Sequence, residues 1–128
     1  MNKLLFPPQT EWIIPETFPD LSQAKEIAID LETNDPNMDS MGPGWPIKNG
    51  FIVGFAFAVF DWKGYFPIKH QGGGNLDETV VRNFVQDVLK TNATKIFHNA
   101  AYDVGWLIAE GFTIHGKIAD TLIAAPLL

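Results

Sequence analysis

The side chains best suited to chemistry in this 128-residue chain lie in one short run, Ile27-Ala28-Ile29-Asp30-Leu31-Glu32-Thr33. Ile27, Ile29 and Leu31 alternate with Ala28, Asp30 and Glu32, the period of a β-strand, so Asp30 and Glu32 project from the same face. Two carboxylates side by side on an otherwise apolar strand repel each other and resist desolvation. A divalent cation between them would remove both costs, and hard oxygen donors of this kind suit Mg²⁺ or Mn²⁺. A strand that simply runs out into solvent accounts for the same residues more plainly, because Asp-x-Glu is a common tripeptide.

A second constellation follows at Asn99 and Asp103. They are four residues apart at the start of a predicted helix and therefore share a face. Each also has an ordinary reading, Asn99 as an N-cap and Asp103 as an acid complementing the helix dipole. Topology is what joins them to the first pair. The short β segment before Asn99 would neighbour the strand of Asp30, so Asp103 would face Asp30 and Glu32 across the sheet end. Three converging carboxylates call for a cation. His70, His98 and His115 are scattered without metal-ligand spacing, which argues against a zinc site.

The elements that must position these residues can be read in order. Pro7, Pro8, Pro15 and Pro19 exclude a continuous helix from residues 1–24, an extended lead-in in which Trp12-Ile13-Ile14 could form a short edge strand. Lys25 to Thr33 is the first core strand. Asn34 to Gly50 is a long loop of turn residues, and loops of this length are often functional. Its Met38, Met41 and Trp45 either tuck the loop onto the core or offer a surface for a stacking base. Phe51 to Phe60 is a buried central strand, turned by Asp61-Trp62-Lys63-Gly64 into an edge strand, Tyr65 to Ile68, which carries Pro67.

Gly72-Gly73-Gly74 lacks both the Gly-Lys-Ser/Thr and the preceding strand of a phosphate loop, and is a connector. Asn75 to Glu78 reads as a capping box opening a helix to about Lys90, with Val80, Val81, Phe84, Val85, Val88 and Leu89 as its apolar stripe. Thr94 to Phe97 is a short strand, Ala100 to Glu110 a helix closed by Gly111, and Phe112-Thr113-Ile114 a further strand. Asp120 opens a last helical stretch, which Pro126 would kink. The expected fold class is α/β: a mixed five-stranded sheet, three antiparallel strands then parallel crossovers, with flanking helices.

Composition narrows the classes of function. Hydrophobic residues make up 46% and charged residues 19% of the chain, so it can bury a core and is not disordered. The absence of cysteine removes disulfides and thiolate metal sites and fits a reducing interior. No run suits a signal peptide or a membrane span, and a cytoplasmic location is expected. A net charge of −6 argues against broad binding of duplex nucleic acid. Two divalent ions would bring it to about −2, so the acidity counts less against a metal-dependent nuclease.

Asp30-Leu31-Glu32-Thr33 resembles the first motif of ribonuclease-H-like 3′–5′ exonucleases with four acidic residues. His98-Asn99-Ala100-Ala101-Tyr102-Asp103 resembles their second motif, and Asp120-Thr121-Leu122 is similar to an Asp-Thr that recurs after it. The pattern, together with the loop from Asp35-Pro36-Asn37 to Gly42-Pro43-Gly44-Trp45, looks like the proofreading domain of family-A DNA polymerases of phages.

The resemblance implies a ribonuclease-H-like sheet and two-metal hydrolysis that releases nucleoside 5′-monophosphates from single-stranded DNA 3′ ends. It implies two Mg²⁺ (or Mn²⁺) ions held by Asp30, Glu32 and Asp103. Leu31, Thr33 and Asn99 would bind the terminal nucleotide, and Asp120 would serve as a cap or support. In a phage the location would be the host cytoplasm. The family's third motif, a Tyr or His near a fourth Asp, is not found after Asp120. Residues 25–128 are therefore expected to be the N-terminal part of an exonuclease domain, with the missing exonuclease and polymerase segments as its partners. A stand-alone exoribonuclease of the same fold and a catalytically incomplete strand-binding scaffold are the competing expectations.

Overall fold

The computed structural model describes residues 17–124. The strand expected at Trp12-Ile13-Ile14 and the kink expected at Pro126 lie outside them. Five strands form one mixed sheet in the order β3-β2-β1-β4-β5: β1 (Glu26–Asn34), β2 (Phe51–Val59), β3 (Trp62–Pro67), β4 (Thr94–Phe97) and β5 (Ile118–Asp120). The β1–β2 and β2–β3 pairs are antiparallel, and β1–β4 and β4–β5 are parallel. The helices are α1 (Met38–Met41), α2 (Glu78–Leu89), α3 (Ala100–Ala109) and α4 (Thr121–Ala124).

The alternation read in β1 sets the layering. Ile27, Ile29 and Leu31 are buried and sit opposite or beside Phe57 and Phe55 of β2. On this face they form one core with Phe66, Phe97, the α2 residues Val81, Val85, Val88 and Leu89, and the α3 residues Trp106 and Leu107. The opposite face carries Ala28, Asp30 and Glu32, which pair with Ala58, Ala56 and Gly54. The register between β1 and β2 slips at one point. Glu32 pairs with Gly54 but Thr33 pairs with Ile52, leaving Val53 as the extra residue of a β-bulge. Such a bulge bends its strand and re-aims neighbouring side chains.

Several local expectations are corrected. The β2–β3 hairpin closes tightly, with Val59 paired to Trp62, so the turn is Phe60-Asp61 and Gly64 lies within β3, paired with Phe57. Pro67 does lie in an edge strand. The N-cap of α2 is Asp77, whose carboxylate accepts the Val80 N–H at 3.0 Å. Asn75 instead clamps the His70 backbone, its Oδ1 accepting from His70 N and its Nδ2 donating to His70 O, both at 2.8 Å. Val80 faces solvent, outside the buried stripe.

The fifth strand is Ile118–Asp120 and not Phe112-Thr113-Ile114. Phe112 is drawn into the core, edge-on to Phe55 at 5.8 Å and beneath the Arg82 guanidinium at 4.6 Å. Arg82 also holds Glu110 at 2.8 Å, and Glu110 accepts the Ile52 N–H at 2.6 Å, tying α2, α3 and β2 together.

Candidate metal centre

The parallel pairing of β1 with β4, Ala28 opposite Ile96, sets the start of α3 beside the C-terminal half of β1. Asp103 is buried in the first turn of α3, with 5% of its surface exposed. Burial, reinforced by the negative charge of Asp30, pushes its carboxyl up from 3.8 to about 8, against the pull of the Leu31 backbone N–H. Glu32 is half-buried, and its carboxyl is likewise raised, by burial and then by the charge of Asp30. Asp30 is thus the negative charge that both other acids feel.

The Glu32 Oε2 is buried with no hydrogen-bond partner. A buried, unpartnered carboxylate oxygen is costly unless a cation or a proton meets it. The donor set is all oxygen, and the two flanking acids are both disfavoured as anions, so these residues fit a hard divalent ion. Among the described residues, no group of three His, Asp or Glu side chains is arranged to hold one ion by itself.

The remaining expected site residues are placed as follows. Asn99 is the N-cap residue of α3 with φ +75°, but its side chain makes no capping bond. The cap is supplied by Asp120, whose carboxylate accepts from Asn99 N at 3.0 Å, Ala100 N at 2.9 Å and Leu122 N at 3.0 Å. Those N–H groups, that of Ala100 foremost, hold the Asp120 carboxyl below its usual range. Asp120 thus ties the start of α3 to the start of α4.

Thr33 is buried, with its hydroxyl 2.8 Å from the Tyr102 hydroxyl. Leu31 is only 4% exposed because the odd-numbered residues of β1 face the core, which places its side chain among the core residues and away from the open cleft.

Two features of the site were not anticipated. The Tyr102 hydroxyl donates to Asp35 Oδ2 at 2.9 Å, and the Asp35 carboxylate also accepts the Gly44 N–H at 3.1 Å, so the long loop is cinched to the site by one phenol. Trp45 packs flat on α3 at Gly105, where a Cβ would come within 2.4 Å of the indole. Trp45 thus tucks the loop onto the core, while Met38 and Met41 stay exposed. A cleft of about 510 Å³ opens beside Glu32, lined by Thr33, Asp35, Met38, Lys69 and His70 among others.

The second feature is the pair Tyr65 and His70, whose side chains meet at 2.5 Å (Oη to Nε2) next to the carboxylates. Their sequence spacing carries no motif; the bulge at Val53, whose carbonyl accepts Ile68 N at 2.9 Å and Lys69 N at 3.1 Å, folds the chain that carries them.

No family model matches the chain. It is 35% identical over 126 residues to a DNA-directed DNA polymerase of Pseudomonas phage M6, an alignment covering 93% of this chain and 19% of the polymerase. The chain thus spans about a fifth of the length of that relative. Among solved structures it resembles Brucella melitensis NrnC (24% identity, TM-score 0.53, 86% of this chain and 48% of the other), which has also been solved with bound Mg²⁺. It also resembles the POL domain of Pol1 from M. smegmatis in complex with DNA primer-template and dNTP (18% identity, TM-score 0.54, 83% of this chain and 16% of the other). Over nearly its whole length the chain is a homologue of a segment of a phage DNA polymerase, folded on the ribonuclease-H-like plan.

Proposed function

We propose that the chain is a 3′–5′ exonuclease segment that removes 3′-terminal nucleotides from single-stranded DNA as nucleoside 5′-monophosphates, the proofreading part of a DNA polymerase. The observation that carries the reading is the position of Asp30, the shared neighbour of Glu32 and Asp103, in a chain homologous to a polymerase segment. Asp30, Glu32 and Asp103 would hold two Mg²⁺ (or Mn²⁺) ions. Bound there, such ions supply an activated water and stabilise the leaving 3′ oxygen.

The chain's own residues do the rest. The exposed Asn99 amide, which no capping bond engages, is available to the terminal nucleotide. Thr33 acts through Tyr102, holding the loop that walls the cleft, and Met38 offers an apolar surface for a base. Asp120 fixes the first turn of α3 and with it the height of Asp103.

The test is Mg²⁺-dependent release of nucleoside 5′-monophosphates from a 3′-labelled single strand. Asp30→Ala should abolish it, and activity that survives this change would refute the assignment. A clear preference for short RNA would favour the exoribonuclease reading. Strand binding without hydrolysis in the presence of Mg²⁺ would favour a scaffold.

A further inference from the structure

Asn75, His70 and Tyr65 form a connected device on the sheet face that carries Asp30 and Glu32. Tyr65 of β3 pairs with Ala56, which pairs with Asp30, so all three side chains leave the same face of the sheet. From there the phenol leans along β2 over Gly54, the residue paired with Glu32. A Cβ at position 54 would lie 2.1 Å from the Tyr65 hydroxyl oxygen. Only glycine lets the ring cross at that point, and directly opposed residues of antiparallel strands stand about 5 Å apart. The hydroxyl is thereby delivered beside Glu32.

It is also held in place from the other side. The bulged Val53 carbonyl accepts both Ile68 N at 2.9 Å and Lys69 N at 3.1 Å, folding the end of β3 back toward the site. Asn75 grips the backbone of His70 at both its N–H and its C=O. The His70 ring then meets the Tyr65 hydroxyl at 2.5 Å and forms one wall of the cleft beside Glu32. The negative charges of Glu32 and Asp30, after burial, are what disfavour ionisation of this phenol, in keeping with its place beside them.

We propose that Tyr65, clamped by His70 and Asn75, is a positioning residue of the metal centre that fixes the Glu32 carboxylate and the polar shell around it for a divalent ion. This rests on the reading of Asp30 and Glu32 as metal ligands. Partners behind metal ligands commonly affect affinity about 10–100-fold, and the Tyr65 hydroxyl, lying over the residue that pairs with Glu32, stands where such a partner would act.

The experiment is a Mn²⁺ titration of the full chain, followed by calorimetry and by the electron paramagnetic resonance signal of free Mn²⁺, for the native protein, Asp30→Ala, Tyr65→Phe, His70→Ala and His70→Gln. Thermal stability is measured on each. Tyr65→Phe and His70→Ala should each weaken Mn²⁺ binding about 10-fold. His70→Gln, which keeps a polar atom near the phenol, should restore much of it. A purely structural role would lower the melting temperature of these variants and leave the affinity of the folded protein unchanged, which would overturn the proposal. If Tyr65→Phe does not fold, the contrast between His70→Ala and His70→Gln decides. Loss of binding in Asp30→Ala alone leaves the metal site standing and sinks the role of Tyr65. Native binding in Asp30→Ala sinks the metal site and this role with it.

Discussion

Asp103 should make the metal-free protein lose stability as pH rises, and the size of the loss follows from its burial. Its carboxyl titrates at about 8 in the folded chain against 3.8 in its ordinary state. An acid whose folded pKa is raised stabilises the fold fully below its unfolded value. That contribution then drains away as pH climbs toward the folded value, because the unfolded chain gives up the proton first.

The slope is about 1.4 kcal/mol per pH unit, so between pH 5 and pH 8 the metal-free protein should lose on the order of 4 kcal/mol. That is a large share of the roughly 5–15 kcal/mol that holds a domain folded. Glu32, raised for the same reasons, acts in the same direction. The measurement is urea denaturation in a chelating buffer at closely spaced pH values, for the native chain and Asp103→Asn. The native curve should fall across the window and the variant's should be much flatter. Saturating Mg²⁺ or Mn²⁺ should restore the native protein at high pH and do little for the variant. A native stability that stays level between pH 5 and 8, or a variant that keeps the native slope, would refute the placement of Asp103 as a buried acid beside Asp30.

Other perturbations follow from the same geometry. Gly105→Ala replaces a residue whose Cβ would meet the Trp45 ring at 2.4 Å. It should cost about 1–3 kcal/mol despite the better helix propensity of alanine, and limited proteolysis should show faster cutting within residues 34–50. Asp120→Asn should lower the melting temperature at neutral pH. Because the carboxyl of Asp120 is held below its ordinary value, its stabilisation is present above that value and is lost on acidification. The native and variant melting temperatures should therefore converge as pH falls below the ordinary 3.8 of the carboxyl, and a gap that does not narrow on acidification would argue against the cap.

How much of this was legible in the sequence depended on whether a residue's role was set by its own neighbours. β1 was readable because alternation decides its faces, and Asp30 and Glu32 came with it. The parallel neighbour β4, and the approach of α3 to β1, followed from the order of elements. β5 was not readable: Phe112-Thr113-Ile114 is the more β-prone run, but Phe112 is claimed by Phe55 and Arg82, while Ile118-Ala119-Asp120 is a strand only through its pairing with β4. The α2 cap was misassigned because Asn75 and Asp77 are both good caps, and tertiary contact with His70 settled which of them was used. Tyr65 was hidden for the same reason. Its position depends on a bulge that no local pattern announces.

The sheet order has a consequence for when the site comes into being. The strands β1, β2 and β3 are consecutive hairpin partners, so Asp30, Glu32 and Tyr65 meet through contacts that close over short stretches of chain. Asp103 arrives only when β4 docks along the far edge of β1, more than sixty residues downstream, and closing that larger loop costs more chain entropy. During folding the centre should therefore be built in two instalments, an early half on the meander and a late half delivered by the crossover. A divalent ion that needs both halves would bind only once both are in place, and the time course of its uptake during refolding would be a clock for β4 zipping along β1.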